Sequence, residues 1–306
     1  MHKPSGIWKL GLAFSLLSAL SFGVLPIALK GILNTMDAFT LTWYRFVMAG
    51  ALLAILNVRP NKFSWSALPG FRLGVLIVVA GALMSVNFLC YLLGLAYVSP
   101  STAQVVIQLA PLFLLLGSLV VYKESFSRGQ WIGLFIMVFG LALFFNQRLT
   151  EMLSRLTNDT IGALLIMAAA FTWAIYGLMQ KRLLLFYSSG VTLLLFYIVD
   201  ALIFLPFASP NRIFDLTGPQ LGLLGGCGLA SALSYIGFAE ALNHWEATRV
   251  SAMLALVPII TVVSVRATNT LWPEVIPPES LSLLSIAGAL FVVAGSMATA
   301  LLRQKK

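Results

Sequence analysis

The chain has 306 residues and a formal net charge of +9, yet charged residues make up only 9% of it and hydrophobic residues 60%. Soluble domains carry roughly 25% charged residues, so this composition excludes a water-soluble globule and calls for lipid around much of the surface. The basic excess would suit nucleic acid as well as a membrane, and its placement along the chain decides between them.

In chain order, an apolar run from Leu10 to Leu29 follows Lys3 and Lys9. A signal-peptide core runs about 7–15 residues, whereas a spanning helix needs about 20. The run therefore reads as a first span rather than a cleaved leader. Similar runs recur, and the predicted spans are 8–30, 38–58, 71–97, 101–121, 129–147, 160–180, 190–208, 219–243, 248–270 and 281–302. Near-continuous apolarity over such lengths predicts helices, because barrel strands would alternate over about ten residues. The expected class is an all-α membrane protein of ten transmembrane helices.

With the N-terminus placed in the cytoplasm, thirteen basic residues fall on the inner side: Lys3, Lys9, Arg59, Lys62, Arg72, Lys123, Arg128, Lys181, Arg182, Arg249, Arg303, Lys305 and Lys306. Six fall outside: Lys30, Arg45, Arg148, Arg155, Arg212 and Arg266. This asymmetry predicts cytoplasmic termini at both ends of a multi-pass protein of a bacterial inner membrane. It explains the basic balance without an acidic partner, and nucleic-acid binding loses its support. The expected partners are the bilayer and a small solute; the sequence leaves monomer and homodimer both open.

An internal repeat is also present. A shift of 147 residues sets Asn87–Pro111 on Ser234–Pro258, so that Phe88 meets Tyr235, Tyr91 meets Phe238 and Pro111 meets Pro258. Gly133 and Gly140 recur as Gly288 and Gly295, and a shift of 151 pairs Lys30 with Lys181. The repeat units are 1–147 and 160–302, with five predicted spans each. An odd number of spans forces the two units to insert in opposite senses. Inverted repeats of this kind are a common transporter plan, with the solute held between the halves near the midplane.

At this point the chain resembles the EamA family of the drug/metabolite transporter superfamily. The resemblance rests on Ala19-Leu20-Ser21-Phe22-Gly23, on Phe39 through Ala49 with its Arg45-Phe46-x-x-Ala49 core, on the stretch from Gly94-Leu95-Ala96 to Pro111, and on Glu124 before Gly133. It implies a ten-helix inner-membrane carrier, often an exporter of amino acids or other metabolites. The second half departs from the pattern, with Tyr197 where Arg45 would repeat and with Glu274 following an extra Trp272-Pro273.

Several polar residues fall within the predicted spans. Asp200 lies about ten residues into its span. A carboxylate at mid-membrane costs about 2.5–3.5 kcal/mol on insertion scales and needs a cavity, a partner or a proton. It is a candidate proton-coupling acid, or else a paired structural acid. Glu240, nearer the inner end of its span, is a second candidate that could instead reach the headgroups. Arg45 could hold a solute carboxylate, bridge to another helix or snorkel outward. Asn87, Gln104 and Gln108 could bind a solute or join helices. Tyr91, Trp173, Tyr176 and Tyr197 are candidate cavity residues, with packing as the alternative. Pro26, Pro111 and Pro258 interrupt spans and are candidate hinges.

No enzyme is indicated. His2 and His244 are the only histidines, Cys90 and Cys227 lie in apolar runs, and neither type has metal-ligand spacing. The sequence holds no Walker loop or Gly-x-Ser-x-Gly elbow. No metal, catalytic group or cofactor is expected. A membrane-embedded enzyme and a non-transporting scaffold remain the alternatives to a carrier.

Overall fold

In hydrocarbon every backbone polar group must find a partner within the protein, so long apolar runs form helices. The computed structural model describes residues 5–57, 70–122, 127–146, 156–187, 189–279 and 281–302. Glu124 and nine of the basic residues in the charge test (Lys3, Arg59, Lys62, Lys123, Arg148, Arg155, Arg303, Lys305 and Lys306) lie outside these residues.

Among the described residues all regular structure is helical. The helices are α1 (Trp8–Ile32), α2 (Ala38–Asn57), α3 (Phe71–Tyr97), α4 (Pro100–Ile107), α5 (Leu109–Tyr122), α6 (Arg128–Phe144), α7 (Asn158–Leu183), α8 (Ser189–Phe204), α9 (Gly218–His244), α10 (Ala247–Leu254), α11 (Val257–Leu271) and α12 (Leu283–Leu301), with a 3-10 turn at Pro210–Asp215. Seven stretches are long and apolar enough to cross a membrane: α1, α2, α3, α7, α9, the α10–α11 run and α12. Three shorter apolar stretches lie in α4–α5, α6 and α8.

Two expected single spans are each a pair of helices. The span predicted at 101–121 breaks at Gln108 between α4 and α5, and the one at 248–270 breaks between Leu254 and Val257. The cause is proline. Pro111 is the third residue of α5 and Pro258 the second of α11, positions where the missing N–H is harmless. Each proline denies a donor to the carbonyl four residues back, where the preceding helix ends. Pro206 likewise stops α8 at Phe204, short of the predicted 208, because the residue before a proline avoids the α region.

Pro26 is buried inside the continuous helix α1. Its missing N–H frees the carbonyl of Phe22, which accepts from Gln104 Nε2 at 3.0 Å. The next carbonyl, of Gly23, accepts from Thr261 Oγ1 at 2.7 Å. A side chain from α4 thus replaces the lost backbone donor, as a hydrocarbon setting requires, and one from α11 adds a bond at the next carbonyl.

The main helix pairs join the first half of the chain to the second. Helix α1 runs antiparallel to α9: Ser18 Oγ donates to the Ser234 carbonyl at 2.7 Å and Phe22 packs on Tyr235. Helix α3 meets α7 in the same manner, with Asn87 Nδ2 donating to the Ala169 carbonyl at 2.7 Å and Gly94 against Gly162. Helix α2 runs antiparallel to α8 through Phe39–Phe204 and Phe46–Tyr197.

Helices α6 and α12 cross on four glycines. A Cβ at Gly133 would lie 2.8 Å from the Gly295 carbonyl, and one at Gly140 the same distance from that of Gly288. Reciprocally, a Cβ at Gly288 or Gly295 would sit 2.6 Å from the carbonyl of Gly140 or Gly133. Only glycine fits an approach of this kind, which is how membrane helices gain packing without a hydrophobic force between them. At the end of α1, Lys30 Nζ donates to the carbonyls of Leu95, Ala96 and Val98 at 2.7, 2.8 and 3.1 Å. A cation at these orphan carbonyls closes the C-terminus of α3.

Candidate functional site between the halves

Two opposite charges are buried where α2, α3, α8 and α9 meet. Arg45 of α2 is 3% exposed and Asp200 of α8 is 0% exposed. They are not paired with each other. Arg45 Nε donates to Ser231 Oγ at 3.0 Å, and Ser85 Oγ donates to Asp200 Oδ1 at 2.5 Å. Ser231 gives its own proton to the Cys227 carbonyl at 2.6 Å, which leaves its lone pairs to the arginine. Ser85 and Ser231 sit midway along 27-residue helices, α3 and α9. Such a helix is about 40 Å long against a hydrocarbon core of about 30 Å, which puts both serines at mid-depth. Each bond crosses between the halves.

Aromatic rings fill the space around the charges. The Arg45 guanidinium carbon lies 5.1 Å from the Phe88 ring centre, in cation–π range. Phe88 packs edge-on against Phe46 at 5.0 Å and against Tyr235 at 6.4 Å. Tyr197 contacts Phe46 at 5.7 Å and Tyr235 at 6.3 Å. Tyr197 and Tyr235 lie within electrostatic range of both Arg45 and Asp200.

Four buried polar atoms of this cluster have no hydrogen-bond partner within the protein: Arg45 Nη1, Tyr91 Oη, Tyr197 Oη and Asp200 Oδ2. Each unsatisfied group costs about 1–3 kcal/mol, more when charged, and proteins leave few of them. Tyr91 lies within electrostatic range of Arg45, and Tyr197 within range of both Arg45 and Asp200, so the four orphans belong to one cluster, the candidate site.

The sequence candidates divide on this geometry. Arg45, Tyr91, Tyr197 and Asp200 are brought together, and Tyr176 and Trp173 pack against the same cluster from α7, Tyr176 through Phe196. Asn87, Gln104 and Gln108 instead spend their amide donors on backbone carbonyls of Ala169, Phe22 and Ala255. Glu240 stands apart, half-buried near the end of α9, where it accepts from Asn243 Nδ2 at 3.2 Å. Ser85, Ser231 and Phe46 were not anticipated, because serine and phenylalanine are ordinary in membrane helices. Tyr235 carried a signal: the repeat aligns it with Phe88, and the two rings meet at the centre.

A model of the EamA-like transporter family matches the chain twice, over residues 9–146 and 160–301. The uncharacterized inner membrane transporter YhbE of Escherichia coli K12 is 35% identical over 98% of this chain and 93% of its own length. An uncharacterized transporter of Haemophilus influenzae is 34% identical over 95% of each chain. A solved crystal structure with 17% identity superposes with a TM-score of 0.64, covering 95% of this chain and 98% of that one, and so shares its fold. The chain belongs to the EamA-like transporter family and is a multi-pass membrane transporter.

Proposed function

We propose that the protein is a secondary carrier of the inner membrane that exports small metabolites, such as amino acids or drug-like solutes, by alternating access coupled to proton entry. The observation that carries this reading is the pair of buried, mutually unpaired charges at mid-depth, each bonded to a serine of the opposite half. Ionisable groups inside a membrane mark solute and ion pathways by default.

In this reading ten spans form two inverted five-helix repeats, 1–147 and 160–302, with both termini in the cytoplasm. The pairing of helices supports it. If α1–α6 map onto α7–α12, the α1–α9 contact maps onto α7–α3, while α2–α8 and α6–α12 map onto themselves. A two-fold axis in the membrane plane does this, and the antiparallel α6–α12 crossing suits a position on that axis. The halves rock about the site, with the breaks before Pro111 and Pro258 as hinges; Gln108 Nε2 reaches the Ala255 carbonyl at 3.3 Å and so links the two breaks. Asp200 carries the proton. Glu240 lies about 13 Å along α9 from the level of Ser231 and is assigned no part at the central site.

The test is uptake into proteoliposomes of labelled amino acids, other metabolites and cationic drugs, with and without an imposed pH gradient. Saturable uptake that the gradient drives uphill is the expected result. Folded protein that moves no compound in such a panel contradicts the carrier reading.

A further inference from the structure

A second polar cavity lies away from the central site, at the end of the bundle where α3 finishes and α4 begins. Its volume is about 140 Å³, and its polar lining comes from Ser101 of α4, Arg266 and Asn269 of α11, and Glu279 of the loop before α12. Aliphatic side chains supply the rest. Ser101 is fully buried, yet its hydroxyl has no hydrogen-bond partner within the protein. The side-chain oxygen of Asn269 is buried and unpartnered as well. Proteins leave few such groups. Two of them lining one cavity with room for more than a single water point to a ligand that donates hydrogen bonds. Glu279, which accepts from Ser99 Oγ, adds a carboxylate to the same lining. A donor that is also a cation suits all three.

Arg266 lines the cavity too, but it is exposed. It shares the exposed face of α11 with Val263 and Thr270, three residues before it and four after. An exposed apolar helix face in a membrane protein meets lipid. Arg266 sits about 8 Å before the end of α11, and its long stem reaches headgroup level from there. The exposed Trp272, directly after the helix, is of the type that gathers at that level.

The cavity therefore turns a cation toward lipid and keeps acceptors and a carboxylate inside. A phosphoethanolamine group carries the complementary charges in the same order, a phosphate and, two carbons on, a primary ammonium with three N–H donors. We infer that this cavity binds the phosphoethanolamine headgroup of a surrounding phospholipid, its phosphate on Arg266 and its ammonium on Ser101, Asn269 and Glu279. A trimethylammonium headgroup brings no N–H to the orphaned oxygens, and a glycerol headgroup brings no positive charge to Glu279. The site goes beyond the carrier reading and holds for either orientation of the chain in the bilayer.

The test uses the whole protein, purified in detergent and freed of lipid. Phosphatidylethanolamine, phosphatidylcholine and phosphatidylglycerol with identical acyl chains are titrated in. Native mass spectrometry reads the retained lipid, and the melting temperature reads stabilisation. Phosphatidylethanolamine is expected to bind roughly ten- to a hundredfold tighter than the other two, the value of a hydrogen bond from a charged donor. Glycerophosphoethanolamine, the same headgroup without acyl chains, distinguishes the source. Weak competition assigns the site to a lipid; competition equal to the lipid's overturns that source in favour of a free aminoalkyl phosphate.

Three variants assign the contacts. Ser101→Ala and Asn269→Ala each reduce the preference for ethanolamine over choline, and the double variant erases it. In Ser101→Ala the lipid-free melting temperature stays level or rises, because an unsatisfied buried hydroxyl is removed. A merely structural Ser101 would lower that temperature and leave the preference intact. Arg266→Gln weakens all three lipids alike and keeps the preference. Equal binding of the three lipids by wild type overturns the inference, as does a preference that survives the double variant. Selective lipid binding by protein that moves no solute would leave this site standing and remove only the carrier reading.

Discussion

Arg45→Gln abolishes most transport while the protein still folds and reaches the membrane. The arginine donates from Nε to Ser231, holds its guanidinium carbon over the Phe88 ring and keeps Nη1 buried without a partner. Glutamine is shorter and neutral and supplies neither contact in the same geometry. Truncating one member of a buried charged hydrogen-bonded set costs about 2–5 kcal/mol, or roughly 30-fold to several thousandfold in affinity. Arg45→Lys recovers only part of the loss, because an ammonium is a point charge and has no planar fork to share among its neighbours. Initial uptake rates, normalised to protein in the vesicles, measure the effect. Full activity in both variants would make Arg45 a structural residue.

Asp200→Asn leaves a folded, weakly active protein whose transport no longer responds to a pH gradient. Asparagine has the same shape and its side-chain oxygen still accepts from Ser85, so the packing around α8 is kept. Removing a carboxylate from mid-membrane relieves a cost of about 2.5–3.5 kcal/mol, so the melting temperature in detergent stays level or rises. In the proposed mechanism the carboxyl takes up a proton on one side and releases it on the other; without it, accumulation driven by the gradient is expected to disappear, leaving only exchange down the solute's own gradient. The groups facing it are Ser85 from α3, Tyr197 on α8 and, within electrostatic range, Tyr176 from α7 and Tyr235 from α9. Unchanged uptake at every pH would remove Asp200 from the coupling role.

The membrane class was legible from composition alone, because 9% charged residues cannot coat a globule of this size. Most helices were legible from run length. What run length missed was proline: Pro111 and Pro258 lie inside unbroken apolar runs, and only the backbone geometry of a first helical turn shows that the breaks come just before them. The site was half legible. Charge at membrane depth singled out Arg45 and Asp200, since each violates the local rule for a span.

The amides were harder to read. A Gln in an apolar helix bonds to whatever its face meets, and a sequence does not show faces. Gln104 meets a carbonyl that Pro26 left free on another helix, a pairing of residues 82 positions apart in the case of Phe22 and Gln104. Ser85 and Ser231 were invisible for a similar reason, since their importance lies entirely in what sits opposite them across the two halves. Tyr235 marks the one place where the repeat itself carried site information.

The most direct experiment on alternating access at this site uses a single thiol. Ser231→Cys, in a background with Cys90→Ala and Cys227→Ala, puts a reactive group beside Arg45 at mid-depth. Membrane-impermeant thiol reagents are then applied to either face of oriented vesicles. Labelling from each face, slowed by solute in both cases, is the result that a carrier opening alternately to the two sides gives. Labelling from one face alone, whatever solute or pH gradient is present, would contradict it.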